Sequence, residues 1–161
     1  MKKYRWMIIM VNLVLLLIYF NISIAGKEKL LSDGKLILLE LAPVDPRSLM
    51  QGDYMRLSYK IAQNLPFDSI PKRGYCVVRL QSNGIASRVR LQKGRTPLND
   101  NELLIEYTTG KWNINIGAES YFFQEGQSKK FEKAKYGGIK IDNDGNSLLV
   151  GLYDQQLRKI Q

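Results

Sequence analysis

Histidine is absent from the 161 residues, cysteine occurs once, and no acidic residue precedes Glu28. Each gap removes a class of function. Without histidine the chain lacks the commonest transition-metal ligand and the usual general base near neutral pH, so zinc sites and Ser/His/Asp or Cys/His catalytic groups are not expected, nor is a cofactor. A lone Cys76 rules out an intramolecular disulfide and leaves stability to the core. Within the apolar run 75–78 it reads as a small buried strand residue rather than a reactive thiol. No lipobox cysteine is present, which excludes a lipoprotein anchor.

What the chain does have is positive charge and one long apolar run. Lys and Arg number 24 against 15 Asp and Glu, a net +9. A surface of that sign attracts anionic headgroups or acidic polymers. The basic residues are scattered rather than clustered, so nucleic acid is not the expected partner. Residues 6–24, bounded by Trp6 and Ile24, read WMIIMVNLVLLLIYFNISI. As a helix this run measures roughly 28 Å, close to the roughly 30 Å hydrocarbon core of a bilayer. Lys2, Lys3 and Arg5 precede it, whereas Lys27, Glu28 and Lys29 follow with a smaller positive excess. The positive-inside tendency then sets the N-terminus in the cytoplasm and the remainder in the periplasm, as a single-pass protein of the bacterial inner membrane. Small residues ending at Ala25 offer the alternative of a cleaved signal, but the apolar run exceeds the usual 7–15 residues of such a signal. The expected organisation is a cytoplasmic tip at 1–5, a transmembrane signal-anchor at 6–25, a juxtamembrane segment at 26–34 and an exported domain at 35–161.

The exported part carries strand and turn signals. Residues 27–33 extend the helix, with Gly34 suited to a left-handed end. Residues 36–42 form a short apolar run, and Asp45 with Pro46 starts a single helical turn through Met50. Residues 53–61 alternate, setting Met55, Leu57, Tyr59 and Ile61 on one face. Three hairpins follow: 75–81 with 86–92 around Asn83 and Gly84, 103–109 with 112–116 around Gly110, and 138–141 with 147–152 around Asn143, Asp144 and Gly145. Tyr121, Phe122 and Phe123 read as core, and 128–136 as one short helix. The fold class is mainly β (α+β): an N-terminal transmembrane helix, then a small antiparallel sheet curled toward a barrel or sandwich, with one short helix.

Residues 52–59 spell GDYMRLSY. This resembles the signature of the GDYXXLXY family, with Gly52, Asp53, Tyr54, Leu57 and Tyr59 at the fixed positions. The preceding APVDPRSLMQ and the later YFFQEG, 121–126, extend the resemblance over about 36–153. It implies a membrane-linked bacterial protein and brings no reaction with it. Read physically, Gly52 and Asp53 suit a turn while Leu57 and Tyr59 face the core, an arrangement that needs no ligand. A binding version instead gathers Asp45, Arg47, Asp53, Tyr54 and Glu125 around one groove. The leading expectation is a non-catalytic accessory domain acting with an integral membrane protein. The alternatives are an envelope-polymer hydrolase using paired carboxylates such as Asp53 and Glu125, and a basic envelope-binding module.

Overall fold

The computed structural model describes residues 2–42, 54–66, 70–110, 113–124 and 126–160. The helical turn expected at 45–50 lies outside them. Helix α1, Lys2–Asp33, covers the apolar run and continues past it. Its side chains from Trp6 to Ile24 are exposed all round, and it is long and apolar enough to cross a membrane.

The helix joins the β domain through one residue. Gly34 N–H donates to Leu30 O at 3.0 Å, closing the last turn. Gly34 does not adopt the expected left-handed conformation. Glycine is required there for space, because a Cβ would lie 2.3 Å from Leu30 O. The Lys140 ammonium donates to the terminal carbonyls of Leu31 and Ser32, where a cation also complements the helix dipole. Leu30 is buried.

Nine strands follow: β1 Lys35–Glu40, β2 Tyr54–Arg56, β3 Arg73–Leu80, β4 Ile85–Gln92, β5 Glu102–Thr109, β6 Ile114–Asn115, β7 Ser120–Phe122, β8 Tyr136–Ile141 and β9 Ser147–Tyr153. Seven form one curled half-barrel sheet in the order β6-β5-β3-β4-β1-β8-β9, while β2 pairs with β7. All pairings are antiparallel except β1 with β4. Two of the three hairpins turn at glycines of positive φ, Gly84 at +84 and Gly145 at +91, while the one expected around Gly110 pairs β5 with β6 at Thr108 with Asn115 and Thr109 with Ile114, and residues 111–112 of its turn lie outside the described residues.

A bulge in β4 turns alternation to use. Val77 pairs with Arg90 and Val78 with Arg88, leaving Val89 as the extra residue. Arg88 and Arg90, which would share a face in a regular strand, therefore point to opposite faces. Arg88 donates to Ile61 O and to Gln63 O beneath the sheet. Arg90 reaches Glu102 on the other side.

Two expectations are corrected. Helix α2 is only Ser128–Phe131, because Lys135 N–H already donates to Tyr153 O at 2.8 Å and the sheet claims the chain from there. Phe122 is 74% exposed, whereas its neighbours Tyr121 and Phe123 are partly buried against Phe131.

The half-barrel interior holds Ile37, Leu39, Cys76, Val78, Ile105, Tyr107, Ile139 and Leu152. Residues 55–62 and 114–118 cover it, and each large side chain so buried contributes about 1.5–3 kcal/mol. The adjacent glycines of β8 serve opposite faces. A Cβ at Gly137 would lie 2.8 Å from the Tyr59 ring inside, and one at Gly138 would lie 2.3 Å from the Tyr153 ring outside. Gly137→Ala is expected to cost about 1–3 kcal/mol by overpacking. The reading is a lower urea midpoint for the full chain in mild detergent, and an unchanged midpoint would unseat Tyr59 from this position.

Candidate functional site

The described half of the GDYMRLSY segment is a clasp. Met55, Leu57, Tyr59 and Ile61 are all buried, as the alternation predicts, although Ile61 sits in a 3-10 turn, Lys60–Ala62, rather than in the strand. On one side Ala42 N–H donates to Ser58 O at 2.8 Å, carrying on from β1. On the other side Leu57 N–H donates to Glu119 O at 2.7 Å, and β2 pairs Tyr54, Met55 and Arg56 with Phe122, Tyr121 and Ser120. The Tyr59 hydroxyl donates to Ala118 O at 2.6 Å. Burial, and secondarily the Glu119 charge, push the Tyr59 phenol far above its ordinary value, so it acts as a neutral donor.

Tyr54 enters β2 through its backbone, and its side chain falls outside the described part. Asp45, Arg47, Gly52, Asp53 and Glu125 likewise lie outside the described residues. Of the eight candidates, Leu57 and Tyr59 are thus brought together in the core.

The sequence reading missed a buried carboxylate. Glu102 opens β5 on the outer face of the sheet, beneath the chain around Asn99. Both its oxygens accept from Arg90 at 2.9 Å, and it also accepts from Asn99 N–H at 3.1 Å. The Asn99 backbone bond, aided by Arg90, outweighs burial and holds the carboxyl down to about 2. Such a group is saturated and ionised, a structural strap rather than a proton carrier. Its partners come together only through the β3–β5 register and the β4 bulge, which spacing alone does not reveal. Nearby, Arg95 bonds Asp144 at 2.6 Å and the Tyr75 hydroxyl at 3.1 Å, tying the β4–β5 loop to the β8–β9 turn. That turn also reaches β5, where Glu106 N–H donates to Gly145 O at 2.8 Å.

Burial pushes the Cys76 thiol up to about 12, so it packs as a small hydrophobe. Among the described residues no group of three or more Cys, Asp or Glu side chains is arranged to hold a metal. A cleft of about 590 Å³ lies between the C-terminal third of α1 and the β8–β9 turn.

An apolar helix leading a curled half-barrel that is closed by a tyrosine clasp defines the class of this protein. The clasp carries Leu57 and Tyr59 of the GDYXXLXY signature, and the chain belongs to the GDYXXLXY protein family, whose pattern matches residues 16–152. Comparisons with curated proteins and with solved structures each returned no match.

Tyr59→Phe strands the buried Ala118 carbonyl and is expected to cost about 1–3 kcal/mol in chemical unfolding. A neutral effect would show that the hydroxyl is not part of the closure. For Glu102, the carboxyl falls from an ordinary 4.5 to about 2 on folding. Its contribution is therefore complete above pH 4.5 and is lost as pH drops toward 2. Glu102→Gln should flatten the stability-versus-pH curve across that window. The same slope in variant and parent counts against the strap.

Proposed function

We propose that this protein is an accessory domain held on the periplasmic face of the bacterial inner membrane by an uncleaved, N-in helix, and that it works with an integral membrane protein. One observation carries the reading. The stretch from Trp6 to Ile24 exposes apolar side chains on every side, and none of it is buried by the described residues of the β domain. Water does not tolerate such a surface, whereas a bilayer of matching thickness does.

The domain supports a binding role over independent chemistry. Tyr59 is a neutral structural donor, Cys76 is buried with a raised value, and Glu102 is saturated by its partners. The direct junction at Gly34 holds the domain against the membrane surface, within reach of the extramembrane parts of a neighbouring protein.

Mass measurement and membrane extraction test the anchor together. The expected outcome is a chain that keeps residues 1–25, resists alkaline carbonate, and loses its β domain to protease added from the periplasmic side. A mature chain starting after Ala25, or release into the carbonate wash, would sink the proposal.

A further inference from the structure

We propose that the cleft between α1 and the β8–β9 turn holds the headgroup of one phospholipid that bears both a phosphate and a primary ammonium, as in phosphatidylethanolamine. The inference rests on the anchor reading above and names a ligand for the side of the domain that faces the membrane.

The cleft lies at the depth of a headgroup. Its helix wall begins at Ile22 and Ser23, in the last turn of the apolar run, and continues through Gly26, Lys27 and Lys29. At 1.5 Å per residue, Lys27 and Lys29 stand about 5–8 Å beyond Ile24, and the headgroup layer on one side of a bilayer is about 5–8 Å deep. One end of the cleft therefore meets hydrocarbon and the other meets water, which is the polarity order of an amphiphile. The volume, about 590 Å³, lies within the roughly 300–1,000 Å³ usual for small-molecule sites.

The two walls carry opposite charge and do not neutralise each other. Lys27 and Lys29 stand on the helix, Asp142 and Asp144 on the turn, and among the described residues no ion pair joins the two sides. Asp142 is committed to its own turn, where it accepts from the N–H groups of Asp144 and Asn146 and from the Asn146 amide. Asp144 gives Oδ1 to Arg95 at 2.6 Å, and its Oδ2 has no partner among the described residues. A purely anionic headgroup would satisfy the lysines but press against these carboxylates. A phosphate joined to an ammonium satisfies both walls, with the phosphate toward Lys27 and Lys29 and the ammonium toward Asp144.

Gly26 keeps the space open. Glycine weakens a helix interior relative to alanine, and beyond its own helix nothing lies within 4 Å of where a Cβ at Gly26 would stand. Packing therefore does not call for glycine at this position. Ile22 and Leu30, one turn to either side, both belong to the cleft wall, so a long side chain at 26 would enter the cleft. The walls themselves are preset, because Leu30 is buried, Lys140 bonds the last carbonyls of α1 and Arg95 restrains the turn.

Native mass spectrometry of the full chain tests the site, using detergent micelles doped with equal amounts of phosphatidylethanolamine, phosphatidylglycerol and phosphatidylcholine. The expected result is one bound phosphatidylethanolamine, favoured roughly 10-fold over each of the others, the scale of a charge-assisted hydrogen bond. Gly26→Leu, the pair Lys27→Gln with Lys29→Gln, and Asp144→Asn should each erase that preference. Arg95→Gln loses the same ion pair as Asp144→Asn but keeps the carboxylate, and should retain it. The urea midpoint of Gly26→Leu should stand level with the parent or above it, which separates a filled cleft from an unfolded domain. Equal retention of the three lipids, a preference for phosphatidylglycerol, a preference unmoved by any of the cleft variants, or its loss in Arg95→Gln would each overturn the inference. Displacement by an equal concentration of water-soluble glycerophosphoethanolamine would also overturn it, by making the ligand a soluble ester rather than a lipid. Carbonate extraction separates the two readings: a chain that stays in the membrane without the lipid preference defeats this inference alone, whereas a released chain defeats the anchor as well.

Discussion

The seating of Tyr59 is the constraint on which the rest of the domain depends. A seven-stranded sheet that curls but does not close has an apolar concave face with nothing to cover it. Here residues 55–62 and 114–118 cover it, and the hold of the first stretch on the second rests on Tyr59. The ring lies on the backbone of Gly137, in the space that any larger residue would take, and the hydroxyl reaches Ala118 O across the opening. One side chain thus joins β8 to the stretch leading into β7. Leu57 and Met55 then fall on the same inner face because the strand period dictates it. Leu57 and Tyr59 of the family signature accordingly serve closure.

Legibility from sequence follows the range of the interaction. The inner face of 55–61 and the three hairpins depend on neighbours within a few residues, and alternation or an Asn-Gly pair announces them. The parallel pairing of β1 with β4, the opposed faces of Arg88 and Arg90, and the burial of Glu102 depend on register between distant strands. A single inserted residue, Val89, reverses the side on which Arg90 emerges, and the alternating pattern of 85–92 carries no mark of it. Phe122 misleads for a related reason. Three consecutive aromatics look like core, yet in a strand the middle one faces away from its neighbours. The 128–136 segment has helix-forming residues throughout but yields to Tyr153, whose carbonyl captures Lys135. Candidate residues at 45–53 and at 125 fall outside the described residues, and the binding groove anticipated around them falls outside with them.

The glycines on either side of the sheet show how closely the two ends of the chain are linked. Gly137 admits Tyr59 from within, while Gly138 admits Tyr153 from without, and Lys140 two residues later bonds the last carbonyls of α1. Strand β8 therefore touches the clasp, the outer surface and the end of α1 within four residues. A change in how the barrel closes is transmitted to the helix junction through one strand rather than through a loop.

That junction bears on what a domain joined directly to a helix can do. A flexible linker lets a domain sample many orientations, and each binding event then costs the entropy of choosing one. With Gly34 alone between α1 and β1, Leu30 buried and the helix end held by Lys140, orientation is decided by folding instead. The ammonium also complements the helix dipole at that end. The β8–β9 turn is consequently held beside the helix at the level where α1 leaves the apolar run, and its Asp144 is in turn restrained by Arg95 from the loop after β4. A buried leucine and a lysine cap thus fix the joint, and the ion pair stiffens the turn beside it. A domain so fixed presents one surface and has less orientational entropy to lose when anything binds it.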